Sequence, residues 1–90
     1  MSEFAMIVRA ELIAARAKNA PMNSAHHAYA VILEEVEEFW EEVKKKREYR
    51  SKQKMLMELV QIGAMAQRAA EDLGLAKSEK FPDDMQASQR

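Results

Sequence analysis

An all-α fold is predicted, a three-helix protomer that joins copies of itself into a four-helix-bundle-like homo-oligomer, and three observations predict it. Only two glycines and two prolines punctuate the 90 residues, and long segments with apolar residues at steps of three and four fall between them. Aromatic residues make up 7% of the chain while methionine and alanine are plentiful, a composition suited to close helix packing. A chain this short buries only about 60 to 65% of its unfolded surface, so three striped helices cannot cover one another without a second copy.

The first helix is expected from about Ser2 to Lys18, with Phe4, Ile7, Val8, Leu12 and Ala15 on one face. Pro21 disfavours helix at Ala20, and Asn23 or Ser24 can cap the next helix. The second helix starts near Ser24 and is expected to run into the basic stretch "KKKREYRSKQK", with Tyr29, Ile32, Leu33, Val36, Phe39, Trp40 and Val43 as its buried stripe. The third runs from about Lys52 to Leu73 and presents Met55, Leu59, Ile62, Ala66, Ala69 and Leu73. Gly74 fits a C-cap. Gly63, inside the helix, costs about 1 kcal/mol relative to alanine and marks a place where another helix packs closely. The Met-rich "KMLMEL" reads as core. Residues 1–76 are expected to form one domain, and 77–90 are expected to be a polar, mobile tail in which Phe81 and Pro82 supply one docking contact.

Composition excludes several functions. A net charge of -1 argues against general nucleic-acid binding, and the absence of cysteine removes disulfides and thiolate chemistry. No apolar run approaches a membrane span, and charges interrupt the N-terminus, so the expected location is the cytoplasm.

The chemistry concentrates in "LEEVEEFWEEVKKK", Leu33 to Lys46, which holds six glutamates within nine residues. Glutamate pairs three or four apart cost about 0.2 to 0.5 kcal/mol each, so the segment carries about 1 to 3 kcal/mol of self-repulsion unless neutralised. Lysines at four-residue spacing, Glu41 with Lys45 and Glu42 with Lys46, can neutralise part on a solvated face. A divalent cation can do more. Ala28, Val31, Glu35, Glu38 and Glu42 share one helical strip, whereas Glu34, Glu37 and Glu41 point elsewhere. Glu58, Gln61 and Met65 form a strip on the third helix, and antiparallel packing of the two helices lets Glu35 and Glu38 face Glu58 and Gln61. Three carboxylates and an amide oxygen suit a hard cation such as Mg²⁺, or Mn²⁺. His26 and His27 are read as capping, packed or solvent-exposed, with substrate contact across a subunit interface as the alternative: adjacent histidines diverge by about 100°, and His27 lies about 16 Å along the helix from Glu38, too far to share an ion.

"LEEVEE", a gap of nineteen residues and "ELVQ" resemble the MazG-like, all-α nucleoside triphosphate pyrophosphatases, a group that includes dimeric dUTPases. Their pattern is EExxE followed by ExxD. The resemblance covers about Asn23 to Leu73 and implies Glu35, Glu38, Glu58 and Gln61 as the Mg²⁺ ligands, with Glu34 and Glu38 as catalytic residues. The angle of Glu34 on the helix sets it apart from the others. Gln61 stands where the wider family has aspartate and brings no charge, although glutamine is usual in one MazG-like branch. The implied substrate is a nucleoside triphosphate, cleaved to the monophosphate and pyrophosphate. Lys44, Lys45 and Arg47, in a stretch with seven basic residues among eleven, are candidate phosphate ligands. Competing readings are a non-catalytic helical oligomer that binds nucleotide or metal, and an interaction module using the basic residues 44–54.

Overall fold

The structure, a computed structural model, describes residues 2–76; the expected tail contact of Phe81 and Pro82 lies outside them. It contains α1 (Glu3–Lys18), α2 (Ala25–Val43), a 3-10 turn (Arg47–Tyr49) and α3 (Lys52–Asp72), with no strand among the described residues. None of these helices is long and apolar enough to cross a membrane.

Each helix starts on a serine. The Ser2, Ser24 and Ser51 hydroxyls accept from the backbone N–H groups of Ala5, His27 and Lys54, each satisfying a first-turn donor that the helix itself cannot. At the far end of α3, Gly74 takes the left-handed conformation at φ 72°, and the N–H groups of Gly74 and Leu75 return to the carbonyls of Glu71 and Ala70. That paired closure of the last turn needs a residue without a Cβ penalty, hence glycine.

The second helix ends before the basic stretch instead of running into it. Arg50 Nε donates to the carbonyls of Val43 and Lys45, and the Glu42 carboxylate accepts from the Ser51 N–H at 2.7 Å, which folds the chain back into α3. Side chains thus satisfy groups that another helical turn would have used.

α3 is the central helix. Glu42 meets Ser51, Glu38 acts on Glu58, and Val31 shares a cleft with Arg68, so α2 runs antiparallel to α3. Val8 packs at Gly63 while Arg16 reaches Glu71 and Asp72, so α1 runs parallel to it. The core is Val8, Leu12 and Ala15 of α1, Met22 of the connection, Ala28 of α2, and Val60, Ala64, Met65 and Ala69 of α3.

Two expected faces are corrected in part: Ile32 of α2 and Ala69 and Leu73 of α3 do pack in or against the core, as expected. On α2, Tyr29, Leu33, Val36 and Trp40 are exposed, Trp40 at 56%, while Ala28 and Glu42 are buried. On α3, Leu56, Met57 and Leu59 are exposed and Ala66 is open to solvent; the buried line is Val60, Ala64, Met65, Arg68 and Ala69. Hydrophobic periodicity registers a face's polarity but not what covers it. Small Ala28 lets α2 approach α3 on its alanine and glutamate side, which leaves the aromatic side uncovered within one protomer.

Gly63 does mark a close helix contact. A Cβ there would lie 3.3 Å from Val8 Cγ2. Gly63→Leu is expected to lower the unfolding free energy by about 1 to 3 kcal/mol through overpacking. Gly63→Ala changes it less, because tight contact with Val8 opposes a helix-propensity gain of about 1 kcal/mol. Urea denaturation of both variants checks the order.

Candidate functional site

The α2–α3 packing brings three glutamates together. Glu35 and Glu38 lie one turn apart on α2, Glu58 faces them from α3, and one carboxylate oxygen from each falls within 4.8 Å of the other two. Glu35 and Glu58 are half-buried and Glu38 is exposed. Glu35 is pushed up to about 7, first by burial and then by the charges of Glu38, Glu58 and Glu34. Glu58 is raised as well, by burial and by Glu38, with Lys54 partly offsetting. Burial first, and mutual repulsion second, disfavour the charged forms of Glu35 and Glu58.

Glu42, on the same strip, has a different task. One oxygen accepts from the Ser51 N–H at 2.7 Å and the other from Lys45 Nζ at 3.0 Å, and the residue is buried. The Ser51 N–H, then Lys45, hold its carboxyl below the usual range despite burial. It clamps the end of α2 to the start of α3. The expected ion pairs accordingly change: Lys44 pairs with Glu41 and Lys45 with Glu42, at three-residue spacing rather than four. Two of the candidate phosphate ligands thus have carboxylate partners, whereas Arg47 is exposed in the 3-10 turn.

A cleft of about 420 Å³ adjoins the cluster through Glu35. Glu34 and Val31 share its wall, so the angle that separates Glu34 from the cluster turns it toward the cleft. Asn19, Ala20, Pro21 and Asn23 of the α1–α2 connection, His27 and Arg68 complete the lining. His26 and His27 are both exposed, and His27 Nδ1 accepts from the Asn23 N–H at 3.3 Å, a capping role. Gln61 is half-buried one turn along α3 from Glu58.

Sequence reasoning missed the residues behind the cleft. Arg68 is 5% exposed; its Nη2 donates to the Ala20 carbonyl at 2.7 Å, and its Nε lies 3.6 Å from Asp72. Asp72 also accepts from Arg16 at 2.7 Å and from the Met22 N–H at 2.8 Å. This network ties the connection and α1 to the end of α3. The signal was present: in "AMAQRAAED" an arginine stands among alanines, four residues before an aspartate.

No protein-family model matches this chain, and comparison with curated proteins and with solved structures gives no match either.

Proposed function

We propose that this chain is a MazG-like, Mg²⁺-dependent nucleoside triphosphate pyrophosphohydrolase. The observation that carries the reading is the convergence of Glu35, Glu38 and Glu58, the positions at which the resemblance puts metal ligands, on one point between α2 and α3. The donor set suits a hard dication. Glu35, Glu38 and Glu58 would hold it, each offering one carboxylate oxygen within 4.8 Å of the other two. Gln61 adds an amide oxygen from the same strip as Glu58.

Magnesium held there supplies neutralisation of the triphosphate's charge. The chain's residues do the rest. Glu35, Glu38 and Glu58 fix the site on two rigid helices, and Glu42, engaged with Ser51 and Lys45, stiffens their junction. Glu34, beside the cleft, is the carboxylate outside the ligand set that can orient an attacking water and take its proton. Of the candidate phosphate ligands, Arg47 is exposed in the 3-10 turn, while Lys44 and Lys45 would bind phosphate only by exchanging their carboxylate partners.

A screen of nucleoside triphosphates with Mg²⁺, reading out pyrophosphate, tests the activity. Turnover that disappears in Glu38→Gln supports it. Mg²⁺ binding without turnover on any nucleotide favours the non-catalytic reading, which Gln61 in place of aspartate also favours. Millimolar Mg²⁺ is expected to raise the melting temperature, because an ion that binds only the folded site stabilises it by mass action; no shift leaves the glutamates a solvated face.

The proposed assembly is a homo-oligomer, dimer or tetramer, in which the exposed Tyr29, Leu33, Val36 and Trp40 of α2 pack against a second copy in a four-helix-bundle arrangement. Light scattering at micromolar concentration should give more than one protomer's mass, and Trp40→Glu should reduce it toward the monomer. A compact wild-type monomer overturns this part.

A further inference from the structure

We infer that the uncovered face of α2 pairs with the same face of a second copy in antiparallel orientation, about a twofold axis at the level between Glu34 and Glu35. This rests on the homo-oligomer reading above and is independent of the nucleotide chemistry. α2 has two working faces. Ala28, Val31, Glu35, Glu38 and Glu42 turn toward α3: Ala28 and Glu42 are buried, Val31 packs against the core, and Glu35 and Glu38 meet Glu58. Tyr29, Leu33, Val36 and Trp40 lie about 160° around the helix from that strip and are exposed. Their steps of four, three and four are those of the a and d positions through which two helices interlock.

The order of the steps permits a reversed partner. Four, three, four reads the same from either end, so turning a second copy around sets Tyr29 opposite its Trp40 and Leu33 opposite its Val36, an isologous contact that closes on itself. The flanks select that orientation. Beside the seam stand Ile32 and Phe39 on one side, and Ala30, Glu37 and Lys44 on the other. Antiparallel pairing lays Ile32 along Phe39 of the second copy and Glu37 along its Ala30. Parallel pairing sets Glu37 against Ile32 and Lys44 against Phe39, which presses charges onto apolar side chains. Longer-range charge acts in the same direction. Lys44 to Lys54 holds seven of the chain's fourteen basic residues and one of its fifteen acidic ones. Parallel helices bring two such turns side by side. Antiparallel helices put them about 25 Å apart or more, because Val43, the last residue of α2, stands about 13 Å along the helix from the axis; that separation exceeds the screening length of about 8 Å at physiological salt. Both glutamate trios then lie on the α3 side of α2, away from the contact.

The chain has no cysteine, so introduced cysteines report the geometry without interference. Tyr29→Cys mixed with Trp40→Cys is expected to give a disulfide-linked dimer under mild oxidation, while each variant alone gives little, because equivalent positions in the two copies stand about 16 Å apart along the seam. A second measurement leaves the seam intact. Spin labels attached to Glu37→Cys and, in a separate full-length chain, to Lys46→Cys are expected to differ, with the Lys46 pair farther apart than the Glu37 pair by about 15 Å or more. Parallel helices hold both pairs at one similar separation, set by the 8 to 10 Å between helix axes and the label arms. Similar separations for the two labels, or self-crosslinking of each cysteine variant as readily as in the mixture, overturns the antiparallel arrangement and leaves the oligomer standing; a monomer by light scattering overturns both. The expected pattern without pyrophosphate release from any nucleotide supports the contact and counts against the pyrophosphohydrolase reading alone.

Discussion

Asp72→Ala is expected to remove about 3 to 5 kcal/mol of stability, a large share of the roughly 5 to 15 kcal/mol that a small domain possesses. The carboxylate's side chain is 5% exposed and it accepts from Arg16 and the Met22 N–H, with Arg68 Nε 3.6 Å away. Without it the buried Arg68 guanidinium loses its only carboxylate among the described residues, and the connection that carries Asn19 to Asn23 keeps the Arg68 bond to the Ala20 carbonyl but loses the Met22 bond to α3. Burial opposes the charge on Asp72, yet the Arg16 hydrogen bond, the Met22 N–H and the charges of Arg16 and Arg68 outweigh it and hold the carboxyl below the ordinary aspartate value of about 3.8. A depressed folded-state value means the stabilisation is fully present above about 3.8 and is lost as pH falls through the folded value. Urea denaturation should therefore show wild type and Asp72→Ala far apart at neutral pH and converging in strong acid. Separation under 1 kcal/mol at neutral pH removes the network's structural role.

The helices were legible because their signals are local. Three serines sit where first-turn N–H groups need acceptors, and Gly74 sits where a left-handed residue closes a helix. The glutamate cluster was legible for a similar reason: Glu35 and Glu38 share a strip by spacing alone, and a short connection forces Glu58 opposite them. The choice of buried face was not. The stripe of Tyr29, Leu33, Val36 and Trp40 is more hydrophobic than the line of Ala28, Val31 and Glu35, yet the latter meets α3. Sequence carries the size of each side chain but not the depth to which two helices approach. Glu42 was misread for the same reason. Its burial depends on Ser51, nine residues later, returning to it across a turn that no periodicity specifies.

Within the glutamate site, Glu58→Gln is expected to weaken Mg²⁺ binding by about tenfold or more, whereas Glu37→Gln leaves it nearly unchanged. The two substitutions remove the same charge from the chain. Glu58 belongs to the trio whose oxygens lie within 4.8 Å, while Glu37 is exposed on α2 and outside it. A unit charge at about 4 Å contributes about 1 to 4 kcal/mol per opposing unit charge between water-like and surface-like screening, but little once solvent and salt intervene over longer distances. Gln61→Asp should act in the opposite direction: on the strip of Glu58, it replaces a neutral amide oxygen with a charged carboxylate that a hard cation binds more strongly. It also adds a fourth negative charge to a cluster that already raises Glu35 and Glu58, so without metal this variant should melt below wild type, and saturating Mg²⁺ should reverse the order. Isothermal titration gives the affinities and thermal melts with and without Mg²⁺ give the crossover. Equal weakening by Glu37→Gln and Glu58→Gln, or no response to Gln61→Asp in either measurement, means that the ion senses only the general charge of α2 and that Glu35, Glu38, Glu58 and Gln61 do not form a site.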